Sequence, residues 1–358
     1  MTDHLETQKA IAAEHIKSSW PVIQDRARSL ASLDGVEQVV LCGCGDSHHA
    51  ALGLSMGFAE LAGIRSSPAH SMAAARYLLP QLEGSAGNLL VIAISASGEV
   101  ARTIEALEIA NLIGARTLAL TGNHSGSLAR TAEDALVFAG PELPHGPGLI
   151  SYLTSLLMGY AVLQQILRAG LQNKFSGALE ELQARLPSWI EERWDEGARF
   201  ADQDRGGTCV FLGSGPAYGS ALFGAAKLIE ASGEYGWGQD VEEWAHLEYF
   251  CAPAEMRTWL LSASGRSASR ELEVRNAAHA IGRSWHEDRW DLLRSRNSQL
   301  NEILSPLALW AGPCGYAARR TAIREEIPFR NFGGGRDREE GGGASRIRTS
   351  ERWQGFDG

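Results

Sequence analysis

The chain has 358 residues, a net charge of −10 at pH 7, and 44% hydrophobic residues. This length predicts two domains or one large α/β unit. The negative charge argues against nucleic acid or an anionic membrane surface as the main partner.

The N-terminal stretch and the cysteines predict a cytoplasmic protein. Residues 1–30 are polar and charged, without the apolar core of a signal peptide. The five cysteines are scattered and lack zinc spacing, so reduced thiols are expected and no metal. The longest apolar stretch, Leu149 to Leu167, is interrupted by polar residues, which predicts a buried helix and not a membrane span.

The first half of the chain alternates between helical and strand patterns. Residues 1–34 predict an N-terminal helix, and a short strand from Val36 to Cys42 then runs into the glycine-rich turn Gly43–Ser47. The apolar run Leu89–Ile94 predicts a buried strand that stops at the turn Ser95–Glu99. This alternation predicts an α/β fold with a mostly parallel sheet. Two further strands are predicted, at Thr117–Thr121 and Ala135–Ala139.

The turn Ser95–Glu99 has the pattern of an anion site. A strand, a tight polar turn and a helix present unpaired N–H groups at a helix N-terminus, where the helix dipole also favours an anion. The hydroxyls of Ser95 and Ser97, with Gly98 allowing close approach of the backbone, suit a phosphate monoester. No Gly-Lys-Ser/Thr follows, which excludes a Walker loop. The alternative is that the serines only cap the helix.

The second half of the chain repeats the first. Thr208–Tyr218 copies the strand and its glycine-rich turn, and Trp259–Arg266 copies the serine loop as Ser-Ala-Ser-Gly. The copies are offset by about 170 residues, which predicts two α/β lobes related by pseudo-twofold symmetry. The second loop has Arg266 where the first has the acidic Glu99. Two alternatives remain for the second loop, a degenerate site or a working site.

The second lobe departs from the repeat towards its end. Residues 284–298 are degenerate, and Ser284–Asp291 shows no strand pattern. The Gly- and Arg-rich tail, residues 331–358, predicts a mobile arm. The predicted first lobe, helical connector and second lobe span residues 35–150, 151–205 and 206–330.

Several short motifs in order resemble the double-SIS (sugar isomerase) family. That family includes amino-sugar-phosphate isomerases, deaminases and deglycases, and the isomerase half of glutamine–fructose-6-phosphate aminotransferase. Each motif is weak alone, but together they are specific, and the resemblance covers about residues 35–255. The motifs are Gly43–Ser47, Ile94–Glu99, Ala139–Glu142, Gly213–Tyr218, Gly224–Glu230 and Glu242–His246.

The resemblance implies two flavodoxin-like, three-layer lobes and a sugar phosphate at the strand ends of the first lobe. A hexose or amino-hexose 6-phosphate would undergo aldose–ketose isomerisation or isomerising deamination or deglycation, without a cofactor, in a homodimer. The substrate-binding residues implied are Gly45, Asp46, Ser47, Ser95, Ser97, Gly98 and Thr103.

The resemblance places the acid–base residues in the second lobe. Glu230 matches the glutamate that shuttles a proton between C1 and C2, for which a partly buried carboxylate is suited. His246 matches the ring-opening histidine, which the aminotransferase takes from the neighbouring subunit, and Lys227 could offset charge at an enediolate. The residues alone also allow a surface pair of Lys227 with Glu230, and a core position for His246.

Some residues depart from the family pattern. Asp46 stands where the family has a threonine, and the tail offers only Arg346 or Arg348 where the aminotransferase uses an imine-forming lysine. The chain begins without the cysteine that releases ammonia from glutamine, so no glutaminase activity is expected. The adjacent His48 and His49 point apart on a helix, so no metal is expected there. The alternative function is a non-catalytic sugar-phosphate sensor or partner subunit.

Overall fold

The computed structural model divides into two compact units. We call N-lobe the unit made of Glu14–Glu142, Ile150–Asn173 and residues 351–353. The C-lobe contains the described residues within Met1–Ala13, Leu143–Leu149 and Lys174–Glu339. The structure describes residues 4–31, 33–144, 146–203, 208–252, 256–291, 298–324 and 351–353.

The N-lobe contains a parallel sheet of five strands. The strands are β1 (Gln38–Gly43), β2 (Arg65–His70), β3 (Leu89–Ser95), β4 (Arg116–Thr121) and β5 (Asp134–Val137). Their order is β2-β1-β3-β4-β5. The helices up to the second lobe are α1 (His4–Ala27), α2 (Asp46–Ala62), α3 (Ser71–Ala73), α4 (Ala101–Leu112), α5 (Ser127–Thr131), α6 (Ile150–Ile166) and α7 (Ala169–Asp202). A π turn (Ala74–Leu78) and two 3-10 turns (Leu79–Leu82, Ala86–Asn88) complete the segment between β2 and β3.

Helices cover both faces of this sheet. Every residue of β3 is buried, as expected for a central parallel strand with helices on both sides. On one face, Val91 of β3 packs with Ile104 and Leu107 of α4 in one apolar cluster. On the other face α2 lies against β1 and packs on α6, where a Cβ on Gly159 would meet Leu54 at 2.2 Å. The result is the predicted three-layer lobe.

Over its described residues, the C-lobe has the same topology with one strand fewer. Its strands are β6 (Cys209–Gly213), β7 (Gly236–Asp240), β8 (Arg257–Ser262) and β9 (Ser284–Arg289), in the parallel order β7-β6-β8-β9. Its further helices are α8 (Pro216–Ser232), α9 (Val241–His246), α10 (Ala268–Ala280), α11 (Ser298–Leu304) and α12 (Ala311–Ile323). The predicted α/β class with two parallel-sheet lobes is therefore confirmed.

The repeat extends to single backbone angles. Gly45 and Gly215 precede α2 and α8 at φ 56°, ψ −130° and φ 57°, ψ −133°. A Cβ on Gly43 would lie 2.6 Å from the carbonyl carbon of Ser47, and one on Gly213 would lie 2.3 Å from the carbonyl oxygen of Ala217. Glycines at matching positions therefore allow the same close contact between strand and helix in both lobes.

The expectation that Ser284–Asp291 contains no strand is wrong. Residues Ser284–Arg289 form β9, paired with β8 in parallel register. Several of its polar side chains are compensated, since Glu287 pairs with Arg275 at 3.2 Å and with Arg289 at 3.1 Å. The buried Asp288 accepts a hydrogen bond from the Trp259 indole at 3.3 Å. An edge strand needs no apolar alternation when its polar groups are paired in this way.

Other predicted segments have mixed outcomes. The N-terminal helix predicted over residues 1–34 is α1, which ends at Ala27. The apolar stretch Leu149–Leu167 is the buried α6. Within the residues that the structure describes, no helix is long and apolar enough to cross a membrane. Of the predicted tail, only residues 351–353 are described, and of the degenerate segment residues 292–297 lie outside the description.

Candidate functional site

The two glycine- and serine-rich turns of the N-lobe meet at one place. Strand β1 pairs with β2 on one side and with β3 on the other, so chain connections diverge between β1 and β3. Ligands of parallel sheets bind in the crevice at the carboxyl ends of such a strand pair. Register pairs Cys42 with Ala93, so the turns Gly43–Ser47 and Ser95–Glu99 follow side by side at that edge.

The first turn starts helix α2. Gly45 takes a positive φ, and the N–H groups of Ser47 and His48 bond back to Cys44 and Gly45. Ser47 itself is half-buried and lies in the first turn of the helix, where N–H groups favour an anion. The Asp46 carboxylate lies 3.7 Å from Nδ1 of His49, within the same turn.

In the second turn one serine is exposed to solvent and the other is buried. Ser95 is buried, and its hydroxyl accepts a hydrogen bond from the N–H of Gly98 at 3.2 Å. Ser97 is exposed, and its hydroxyl accepts from the N–H of Glu99 at 3.3 Å. Gly98 has φ 70°, and a Cβ there would lie 3.0 Å from the Thr121 hydroxyl. The predicted residues Ser95, Ser97 and Gly98 therefore form one tight turn.

The loop after β4 holds this turn in place. The Asn123 side-chain amide donates to the carbonyl of Ser97 at 3.1 Å, and the N–H of Leu128 donates to the carbonyl of Gly98 at 2.9 Å. The sequence reasoning missed Asn123. Its position directly after a buried strand, next to the serine turn, is the signal that could have found it.

Glu99 is directed away from any ligand of the turn. Its carboxylate accepts the N–H of Ser127 at 2.9 Å at the start of α5. That backbone hydrogen bond, with help from Arg130, holds the pKa of Glu99 below its ordinary value. The carboxylate is thus committed to capping α5.

Thr103 lies beneath the two turns. It is fully buried, and its hydroxyl is 3.0 Å from that of Ser71 and 3.9 Å from Sγ of Cys44. The hydroxyl therefore connects the first turn of α4 to the ends of β1 and β2. This placement suits a bracing role.

A close, tilted pair of histidine rings flanks the first turn and was not singled out from the sequence as a pair. His48 of α2 and His70 at the end of β2 have ring centroids 3.6 Å apart. Burial, with the neighbouring His70 and His49, lowers the pKa of His48 to about 4. Burial also lowers the pKa of His70. The pair could not be foreseen because strand β2 was not predicted.

The C-lobe brings Lys227 and Glu230 together on α8. Lys227 is fully buried, and its ammonium donates to the Glu230 carboxylate and, at 3.2 Å, to the carbonyl of Gly148. The same ammonium lies 4.9 Å from the centre of the Phe223 ring. Glu230 keeps 25% of its side chain exposed, so a charged carboxylate lies next to a buried cation and still reaches solvent.

His246 does not join this pair within the chain. It ends α9 with 66% of its side chain exposed, and its Nε2 lies 3.1 Å from Glu242. Helix α9 packs on the sheet face of Val210, whereas α8 packs on the opposite face, where a Cβ on Gly224 would meet Phe211. Glu230 and His246 therefore belong to opposite faces of the C-lobe sheet.

One further cluster has the residue types of a metal site. Ligand atoms of Glu196, His286 and Asp288 lie within 4.8 Å of one another. The Arg193 guanidinium lies 2.6 Å from Glu196 and 3.7 Å from Asp288 and already supplies positive charge there. We therefore assign this cluster to an ion-pair network under β9, and derive no metal chemistry from it.

Comparison with known proteins agrees with the fold. The SIS domain family model matches residues 32–164. Glutamine–fructose-6-phosphate aminotransferase (isomerizing) of Halobacterium salinarum is 30% identical over 253 residues, which are 67% of this chain and 40% of that protein. The chain thus spans less than half the length of this relative. Residues 32–164 thus match the SIS domain, and the resemblance to the SIS family is confirmed.

Solved structures share the fold over most of the chain. The C-terminal domain of glucosamine-fructose-6-phosphate aminotransferase from Francisella tularensis superposes with a TM-score of 0.67 at 15% identity, covering 86% of this chain and 96% of that one. Glucosamine-6-phosphate deaminase from Thermotoga maritima gives a TM-score of 0.61 at 18% identity, covering 88% and 95%. At these identities the likeness concerns the fold alone.

Proposed function

We propose that the chain binds a hexose or amino-hexose 6-phosphate at the turns Gly43–Ser47 and Ser95–Glu99. The proposed reaction is aldose–ketose isomerisation, or isomerising deamination or deglycation, at C1 and C2 of that sugar. The observation that carries the proposal is the meeting of two serine turns and two helix N-termini at the switch point of the N-lobe sheet. The sugar phosphates in the names of the relatives support this ligand class.

In this proposal the phosphate accepts hydrogen bonds from the hydroxyls of Ser47 and Ser97 and from N–H groups of the two turns. The buried hydroxyls of Ser95 and Thr103 hold the turns in shape. Because Asn123 already fixes the second turn, little ordering is left for the ligand to impose. Gly45, Asp46 and Gly98 complete the proposed set, with Asp46 directed at sugar hydroxyls or at the helix terminus.

Glu230 is the proposed base of the reaction. In the open-chain sugar it takes a proton from the carbon next to the carbonyl and returns it to the former carbonyl carbon, through an enediolate. The buried Lys227 places positive charge beside that carboxylate. His246 is the proposed group that moves a proton between the ring oxygen and a hydroxyl during ring opening.

The proposed active form is a homodimer. Glu230 and His246 belong to helices on opposite faces of one C-lobe sheet, and in this proposal each site takes its histidine from a second copy. A twofold dimer would build two such sites, each from Glu230 of one chain and His246 of the other.

The alternative is a sensor or partner subunit that binds the sugar phosphate without turnover. One observation favours it. The Lys227 ammonium is engaged with Glu230 and the Gly148 carbonyl. A purely binding protein needs the N-lobe turns but not the acid–base residues of the C-lobe.

Turnover assays separate the two functions. The protein is incubated with glucosamine 6-phosphate, and with fructose 6-phosphate with and without ammonia, and the products are followed over time. The enzyme interpretation predicts conversion that Glu230→Gln abolishes while binding persists. Binding without turnover in the original chain, equal to that of Glu230→Gln, would establish the sensor.

Thermal unfolding tests the binding site itself. A sugar phosphate should raise the melting temperature of the original chain but not that of Ser97→Ala. Ser264→Ala, at the matching position of the C-lobe repeat, is the control and should keep the shift. An unchanged shift in Ser97→Ala would place the site elsewhere.

A further inference from the structure

The C-lobe copy of the serine loop is filled by a side chain of the same lobe. Glu302 of α11 is buried, and its Oε1 accepts the backbone N–H of Arg266 at 2.7 Å. Its Oε2 lies 3.3 Å from Nε of Arg266. A backbone N–H and a guanidinium are donors that an oxyanion prefers, so the carboxylate sits where the repeat predicts an anion.

Gly265 is the residue that admits this carboxylate. A Cβ on Gly265 would lie 1.9 Å from Oε1 and 2.1 Å from the carboxyl carbon of Glu302. The preceding Ser264 has φ 51°, an unfavourable value for a residue with a side chain. Its N–H is held by the Ser262 hydroxyl at 3.0 Å. The turn is therefore held in a strained shape around the carboxylate.

The residue next to Glu302 fastens the same helix to the loop. The buried Asn301 amide donates to the carbonyl of Ala263 at 2.6 Å and to that of Trp290 at 2.7 Å. Two consecutive side chains of α11 thus bind the loop. Asn301 bonds to a backbone carbonyl of the loop, and Glu302 bonds to a backbone N–H of the loop.

The N-lobe loop differs at this point. Among described residues, the atoms nearest to a Cβ on Gly98 belong to Thr121, Gly126 and Asn123, and none is a carboxylate. Ser97 at its tip is exposed, whereas Ser264 is partly buried. The first loop is open where the second is filled.

We propose that the loop Ser262–Arg266 is a second anion site whose permanent ligand is the carboxylate of Glu302. Each chain then binds a sugar phosphate through Ser95–Glu99 only, and the C-lobe uses its anion loop to anchor α11. The proposal also explains why the C-lobe loop has Arg266 at the position that matches Glu99. An acidic residue at that position would repel the Glu302 carboxylate. The number of sugar-phosphate sites rests on the proposed function; the filling of the loop does not.

Removal of the carboxylate tests the loop without any sugar. Glu302→Ala should lower the melting temperature, and about 50 mM acetate or phosphate should raise it by about 2–4 °C more than in the original chain, at ionic strength matched with chloride. Glu302→Gln is the matched control, because it keeps the shape and the hydrogen bond from Arg266. Its response to the anions should equal that of the original chain.

An equal anion response in Glu302→Ala and the original chain would overturn the proposal. If Glu302→Ala does not fold in chloride, its refolding yield is compared between phosphate and chloride. A higher yield in phosphate supports the anion loop, and equal yields contradict it.

Calorimetric titration with glucosamine 6-phosphate then counts the sites. The expected result is one ligand per chain in the original protein and none in Ser97→Ala. The double variant Ser97→Ala/Glu302→Ala should regain binding of inorganic phosphate. Two ligands per original chain would refute the filled loop. No ligand in the original chain would refute the proposed function, while the anion response of Glu302→Ala would still decide the loop.

Discussion

Glu230 and His246 lie on opposite faces of the C-lobe sheet. Glu230 is on α8, which packs against the Phe211 face, and His246 ends α9, which packs against the Val210 face. The sheet lies between the two helices, so the proposed shared site takes Glu230 from one copy of the chain and His246 from a second copy.

Mixing inactive variants tests this arrangement. Glu230→Gln and His246→Ala should each be inactive as pure dimers. Co-refolded in equal amounts, they form mixed dimers in which one site has both an intact glutamate and an intact histidine. Half of the dimers are mixed and half of their sites are intact, so activity should return to about a quarter of the original value.

The control for this experiment places both changes in one chain. The doubly substituted chain mixed with the original gives mixed dimers in which each site lacks one group. Activity should then come only from the original dimers, again about a quarter. If the mixture of Glu230→Gln and His246→Ala chains shows no activity, the two residues do not act across subunits.

The central strands, the glycine turns and the edge strand β5 could be predicted from sequence, and the other edge strands could not. Buried runs such as Leu89–Ile94 reveal themselves by their apolar side chains. Strands β2, β7 and β9 lie at sheet edges, and their partly exposed side chains lack that signal. Their pairing depends on register with a neighbour and on tertiary ion pairs, which a local pattern does not contain.

The site divides in the same way. The serine turn was predictable because strand, glycine and helix follow one another locally. The filling of the second loop was not, because Glu302 lies 36 positions from Arg266 in the chain. The ring contact between His48 and His70 depended likewise on an unpredicted edge strand.

Lys227→Met should reduce both stability and turnover. The substitution keeps the length of the buried side chain but leaves the Gly148 carbonyl without the ammonium that bonds it at 3.2 Å. A cost of about 1–3 kcal/mol in the free energy of unfolding is expected. Urea denaturation measures it, with the exposed Lys174→Met as control. A stability equal to that of the control would mean that the buried ammonium contributes nothing net.

Gly43→Ala should destabilise the N-lobe and abolish ligand binding. Its Cβ would lie 2.6 Å from the backbone of Ser47, so β1 or the start of α2 must move. The expected loss is about 2–4 kcal/mol, in the range for overpacked sites. Gly177→Ala is the opposite control, since nothing lies within 4 Å of its Cβ and it is an exposed helical position. That change should add about 0.5–1 kcal/mol. If Gly43→Ala still binds the ligand, the close backbone contact between β1 and α2 is not required for the proposed binding site.

Arg320→Ala should be among the most damaging single changes in the C-lobe. Arg320 of α12 and Glu234 form a buried pair with contacts of 2.6 and 3.0 Å. Removal of Arg320 leaves the buried Glu234 with the more distant Arg324 guanidinium at 3.7 Å, and a cost of about 3–5 kcal/mol is expected. The double change Glu234→Gln/Arg320→Met removes both charges and should be much milder. A double variant as unstable as Arg320→Ala would show that packing, not charge, sets the loss.

His15 should make stability fall as the solution is acidified. Its ring lies 2.8 Å from the Thr154 hydroxyl and 3.2 Å from that of Ser19, and burial lowers its pKa from 6.5 to about 4. The unfolded chain therefore binds the proton more tightly than the folded one. Its contribution to stability is complete above pH 6.5 and is lost as the pH falls towards 4. About 1–3 kcal/mol should disappear in this window.

His15→Gln tests this, because it can keep a hydrogen bond to Thr154 but does not titrate. The free energy of unfolding, measured in urea at intervals from pH 7 to 4, should fall less steeply in this variant than in the original chain. His48, whose pKa is also lowered to about 4, contributes the same sign and remains in both proteins, so only the difference in slope belongs to His15. If the free energy of unfolding falls equally steeply with pH in both proteins, the buried His15 ring does not contribute to the acid sensitivity of stability.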